Sequence, residues 1–147
     1  MKLTRILTIL LLGVTAALVA GCASVNKQAS NAYPEPSADK ALIYFFREKK
    51  FAGAMLSYNV KHNDRVIGAL ANGTYFFYEV EPGTHTFTAS TESTVSVTIE
   101  AQAGKTYYVA GGITLGIMAG RPVLSRANDS DARALLPSVQ YATKSAE

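Results

Sequence analysis

The chain has 147 residues, a formal net charge of +3, two histidines and a single cysteine. One cysteine excludes an internal disulfide framework and a cysteine-rich zinc site, so the folded part holds together by packing. Tryptophan is absent, and eight Tyr and six Phe supply the large apolar side chains.

The amino-terminal stretch reads as an export signal over residues 1–21. Lys2 and Arg5 give a positive start, and Ile6 to Val19 is a nearly unbroken apolar run. A crossing helix needs about 20 apolar residues, so this run fits a cleaved signal and not a permanent span. Small residues at Ala20 and Gly21 leave the backbone open to a peptidase directly before Cys22. Val19-Ala20-Gly21-Cys22 resembles the lipobox of bacterial lipoproteins, with Val19 where Leu is usual. The resemblance implies diacylglyceryl transfer to the Cys22 thiol, cleavage between Gly21 and Cys22, and acylation of the new amino terminus, palmitate being one such acyl group. Two or more chains, at about 0.8 kcal/mol per buried CH₂, anchor a protein stably where a single chain does not. Ala23 is not the Asp that retains such proteins in the inner membrane, which implies a lipid anchor in the outer membrane, on its periplasmic face. Cleavage also removes Lys2 and Arg5 and leaves the mature chain near neutrality, so its charge gives no ground for nucleic-acid binding.

Residues 22–39 read as a tether of Ser, Asn, Gln, Ala and Pro, with Tyr33-Pro34-Glu35-Pro36 stiffening its centre. As a flexible coil it would hold the domain about 20–25 Å from the lipid. From Lys40 the pattern changes to short strands. Ala41 to Arg47 is apolar on both faces and predicts a central or doubly covered strand. Ser57 to His62 alternates, Asn63-Asp64 supplies a hairpin turn, and Arg65 to Leu70 returns. After Ala71-Asn72-Gly73, Thr74 to Val80 is again apolar on both sides. Glu81-Pro82-Gly83 predicts a turn with glycine at φ > 0. His85, Phe87 and Ala89 then alternate with threonines, and Thr94 to Ala101 alternates most regularly, Val95, Val97, Ile99 and Ala101 inward. Ala103-Gly104-Lys105 leads into a strand over Thr106 to Ile113, and Pro122 to Arg126 is the last expected strand. Asp129-Ser130-Asp131 places acids at a helix start, and Ala132 to Leu136 gives a short helix stopped by Pro137. Seven to eight strands with hairpin-length links predict an all-β antiparallel sandwich over 40–141, with a tail over 142–147.

Leu42-Ile43-Tyr44-Phe45-Phe46-Arg47, Val66-Ile67-Gly68, Gly73-Thr74-Tyr75-Phe76, Val80-Glu81-Pro82-Gly83-Thr84-His85 and Ala103-Gly104-Lys105-Thr106-Tyr107-Tyr108 resemble an uncharacterised family of bacterial lipoproteins. Its domain is similar to the PEGA and carboxypeptidase-regulatory β-sandwiches. The resemblance spans about Lys40 to Arg126 and implies a non-catalytic sandwich on a lipid tether, with no catalytic residue to carry over.

Few side chains invite chemistry. His62, His85 and Asp64 could be combined with a serine on paper, but no serine lies in a Gly-x-Ser-x-Gly elbow, so no enzyme is expected. The two histidines are far apart in sequence and no free thiol completes a ligand set, so no metal and no cofactor is expected. Arg47, Glu48, Lys49 and Lys50 read as a solvated charged loop. The unusual segment is 111–120, with four glycines, no charge, and Ile113, Leu115, Ile117 and Met118 as candidate partner contacts. The expected function is a membrane-anchored, non-catalytic binding or structural module of the cell envelope, touching an envelope protein or glycan. The alternative is a periplasmic carrier of a small apolar ligand or lipid, which requires a pocket between the sheets lined by Phe45, Tyr75, Phe77 and Tyr107.

Overall fold

The computed structural model describes residues 25–27, 32–118 and 120–144. The signal expected over 1–21, with Gly21, and the expected acylation site Cys22 lie outside the described residues. Among the described residues ten strands are formed: β1 (Val25–Lys27), β2 (Ala41–Arg47), β3 (Tyr58–His62), β4 (Arg65–Leu70), β5 (Thr74–Val80), β6 (Gly83–Ser90), β7 (Thr94–Ala101), β8 (Thr106–Thr114), β9 (Arg121–Arg126) and β10 (Gln140–Lys144). A helix, α1 (Asp129–Leu135), continues into a 3-10 turn over Leu136–Ser138 that contains Pro137. Six strands, in the order β1-β10-β5-β2-β8-β9, form one sheet, and β4-β3-β6-β7 form the second.

The fold is the expected all-β sandwich with a short helix near its carboxyl end, but two strands exceed the predicted count. β1 has three residues and β10 has the sequence Gln-Tyr-Ala-Thr-Lys, so neither is long or apolar enough to display a period of two. They exist because they pair with each other antiparallel and because β10 adds parallel to β5. The domain therefore runs past residue 141 into the expected tail.

β2 shows why a strand apolar on both faces is needed. It lies between β5 and β8, antiparallel to one and parallel to the other, and all seven of its residues are buried. Ala41, Ile43 and Phe45 face the four-stranded sheet, in a core with Val60, Leu70, Phe76, Phe87, Ile99, Val109 and Leu124. Leu42, Tyr44 and Phe46 face the other way and pack with Tyr75, Tyr108 and with Ala132, Leu136 and Val139 from the helical segment. A third layer thus covers the outer face of the larger sheet.

Part of that layer is the segment expected to be a tether. Residues 32–37 have no regular secondary structure but lie along the sheet. The Tyr75 hydroxyl donates to the Ala32 carbonyl at 2.7 Å, Tyr44 donates to Pro34 at 2.7 Å, and Tyr33 donates to Leu136 at 3.3 Å. The rings of Tyr33 and Tyr75 stack at 5.4 Å, and Ser37 donates through its hydroxyl to Glu79 at 2.6 Å. Phenol hydroxyls on the outer face thus engage main-chain carbonyls that a solvated coil would leave to water.

The turns follow their residues. Asn63 and Asp64 both take positive φ, 49° and 62°, as a two-residue hairpin of the right twist requires. Gly83 has φ 136° and opens β6.

Candidate functional site

At one end of the sandwich two loops present side chains that the core has no room for. The first, 48–57, joins β2 to β3, and the second, around 115–120, joins β8 to β9. Because β2 and β8 are parallel neighbours, with Arg47 level with Gly111, the two loops leave the sheet at the same end. Phe51 and Met55 on the first and Leu115, Ile117 and Met118 on the second are 89–100% exposed. Of the four candidate contacts, three are therefore fully presented. Ile113 is half-buried against the core and touches the turn residues Gly53 and Gly120, filling the space between the loops. Phe51 and Met55 are not among the sequence candidates, since the short run from Phe51 to Leu56 carries no strand or helix period and only the parallel pairing of β2 with β8 sets its loop at the same end as the second.

Both loops are held by charged side chains. Arg47 is 3% exposed, which corrects its placement in a solvated cluster with Glu48, Lys49 and Lys50, the three that are exposed. Its guanidinium donates to the Leu56 carbonyl at 2.6 Å and to the Gly53 carbonyl at 2.7 Å, pinning the first loop from below. A charge in a strand end is buried here because the fork of donors matches two converging carbonyls. Burial pulls the Arg47 pKa below the usual guanidinium value, with Tyr58 acting the other way. The Tyr58 phenol, donating to the Val123 carbonyl at 3.2 Å, is pushed up to about 12 by burial, opposed by Arg47.

The second loop is held by Glu92. Its two carboxylate oxygens accept the amides of Ile117 at 2.8 Å and Met118 at 2.9 Å, and Arg121 lies at 3.7 Å. Gly116 is required by this approach, because a Cβ there would collide with the Glu92 carboxylate. Thr91 adds a bond from its hydroxyl to the Gly120 carbonyl at 2.6 Å. Consecutive amides taken by one carboxylate fix the backbone so that Ile117 and Met118 point into solvent. A loop free to collapse would fold them in, since burying a large apolar side chain gains about 1.5–3 kcal/mol. The exposure is therefore imposed by the framework.

The other candidates are placed differently. His62 and His85, remote in sequence, meet at the rim between the sheets: His85 Nδ1 and His62 Nε2 are 3.0 Å apart. His85 Nε2 lies 2.7 Å from the Glu81 carbonyl, which can only accept, so Nε2 carries the proton and Nδ1 accepts from His62 Nε2–H. His62 also packs edge-on against Tyr78 and beside Phe87. Burial, then His85, lowers its pKa. Among the described residues, no group of three or more His, Cys, Asp or Glu is arranged to hold a metal. Two cavities of about 260 and 530 Å³ are present, and neither is lined by Phe45, Tyr75, Phe77 or Tyr107. Phe45 and Tyr75 have no exposed surface, so the space an apolar cargo would need there is filled by rings.

Residues 37–122 match the model of a family described as "Protein of unknown function (DUF2846)". An uncharacterized protein of Haemophilus influenzae is 22% identical over 134 residues, an alignment covering 86% of this chain and 79% of that relative.

Proposed function

The chain belongs to the DUF2846 family, and for it we propose the role of a lipid-anchored, non-catalytic binding module of the bacterial cell envelope that grips a partner protein through the two clamped apolar loops. The observation that carries this reading is the pair of clamps. Arg47 and Glu92 pin the backbones of loops that present five large apolar side chains to water, so the backbone part of the ordering cost is met before any partner arrives. Large apolar side chains exposed together at one end of a fold mark interaction sites, and side chains such as Phe51 and Met55 suit a protein pocket better than a glycan.

The sequence supports the anchor: acylation of Cys22 after removal of residues 1–21, in the outer membrane and facing the periplasm. The sandwich, similar on its sequence motifs to PEGA and carboxypeptidase-regulatory domains, is the spacer that carries the loops. The register of the larger sheet supports an orientation for them. Gln140 opens β10 level with Thr74, which pairs with Arg47 at the loop end, and β10 then runs away from that end to Lys144, opposite Val25. Four residues of strand cover about 13 Å. Cys22 is three residues before Val25 and so within about 11 Å of it. In this reading lipid and loops mark opposite ends of the domain, with the loops facing away from the anchoring bilayer and toward a protein partner.

Photo-crosslinking in intact cells, with a photoreactive residue at Ile117 in one strain and at Lys61 in another, tests this. Discrete protein adducts at position 117 that are absent at 61 and fade in the Glu92→Ala background are expected. Adducts to phospholipid alone, or equal patterns at the two positions, would overturn the reading.

A further inference from the structure

We infer that a slot on the outer face of the six-stranded sheet, between the 32–37 segment and α1, binds a small zwitterion of α-amino-acid type. Its floor is made by Tyr44 and Tyr108, directly paired on β2 and β8 with rings 5.6 Å apart and 22° from parallel. Tyr33, Pro34 and Glu35 form one wall, Arg133, Leu136 and Pro137 the other, and the volume is about 260 Å³. That is room for one amino-acid-sized molecule and too little for a drug-sized one.

The walls are fixed. Tyr44 and Tyr33 donate to the carbonyls of Pro34 and Leu136, tying the segment to sheet and helical turn. Glu35 stands between two prolines; Pro34 has a locked φ, and Pro36 confines Glu35 itself to extended backbone, so its side chain starts from a defined point. Arg133 lies over the Tyr108 ring with its guanidinium carbon 5.8 Å from the centroid. A guanidinium placed over a ring keeps N–H donors available for a carboxylate.

The charges indicate the ligand. Glu35 and Arg133 line one slot from opposite walls, and neither takes part in an ion pair among the described residues. Burial raises the pKa of both floor phenols; at Tyr44 the neighbouring Tyr108 and then Glu35 raise it further against Arg133, and at Tyr108 Arg133 lowers it while Asp129 and then Glu35 raise it, so both phenols lie within the field of Glu35 and Arg133. A ligand with one charge answers one wall and leaves the other bare. A molecule with an ammonium and a carboxylate a few ångströms apart answers both: the ammonium meets Glu35, the carboxylate meets Arg133. The slot lies on a face of the sheet, away from the apolar loops at its end, and the inference does not depend on what those loops grip.

The test titrates the full-length chain, purified in detergent, with L-alanine, L-alanyl-L-alanine, ethylamine and propionate, following binding by calorimetry. Saturable binding of alanine or the dipeptide is expected, with ethylamine and propionate each weaker by about tenfold or more, the loss of one charge-assisted contact. Glu35→Gln and Arg133→Gln should each weaken the zwitterion by about the same factor at an unchanged melting temperature, and Arg133→Lys should restore part of the loss. Lack of saturation below about 10 mM overturns the inference, that being weaker than two charged contacts allow. So does equal affinity for the singly charged probes, or either Gln variant binding as the parent does.

Discussion

Replacing Arg47 by methionine keeps the stem as far as the Nε position and removes the donor fork beyond it. Two bonds from an ionised donor, at 2.6 and 2.7 Å, are lost, each contributing about 1.5–3 kcal/mol. Part of that returns. The guanidinium no longer has to be buried without a carboxylate beside it, and a thioether packs well in the vacated space. Gly53 and Leu56 are only half-buried, so water can reach the released carbonyls. The net loss should be about 2 kcal/mol, which for a domain of this size lowers the melting temperature by about 6–10 °C. The local signature is sharper: the Leu56 amide, bonded to the Gly53 carbonyl at 3.0 Å, should lose protection against hydrogen exchange while amides of β2 keep theirs. Arg47→Lys, which keeps a charge but cannot span both carbonyls, should fall between parent and methionine variant. A melting curve within about 0.5 kcal/mol of the parent, with Leu56 exchange unchanged, would refute the clamp.

Three further outcomes follow from the same structure. His62 has a folded-state pKa below its ordinary value, through burial and then His85, so between that lowered value and the ordinary one near 6.5 the unfolded chain holds more protons. Stability should therefore fall as pH drops from 7 through that window, and His62→Gln should flatten the slope; denaturant titrations at several pH values check it, and identical slopes would count against the pairing. Gly83→Val should destabilise by about 1 kcal/mol or more through backbone strain at φ 136°, because no atom lies within 4 Å of the added Cβ to blame instead; an unaltered midpoint in urea would contradict this. Cys22→Ser should release the protein from the membrane fraction or leave it as an uncleaved precursor, read by fractionation and by the mass of the amino-terminal peptide, and unchanged processing would remove the anchor from the proposal.

Much of the sandwich was legible because its strands carry either a clean period of two, as in Thr94 to Ala101, or a run too apolar to have a wet face, as in Ala41 to Arg47. β10 was not, because a strand with one large apolar residue has no pattern, and its existence depends on the free edge of β5. Arg47 misled for a related reason. Its neighbours Glu48, Lys49 and Lys50 are all exposed, and nothing in a row of charges says which will meet two carbonyls. Tyr33-Pro34-Glu35-Pro36 signalled stiffness correctly, but what it stiffens is a wall against the sheet, a fact carried by hydroxyls on Tyr44 and Tyr75 far along the chain. The apolar loop at 113–118 was visible in sequence; its companion at 51–55 was not, since proximity of the two comes from parallel pairing of β2 and β8.

The seam between β1 and β10 has a mechanical side. In the proposed arrangement, tension applied at Cys22 against a partner on the loops would enter the domain through Val25–Lys27 and load the three residue pairs of the seam together in shear. Were they to slip, the next resistance would be the row of phenols holding residues 32–34, and only then the sheet itself. Such a leash would lengthen in two steps under strain, yielding reach before the sandwich is put at risk.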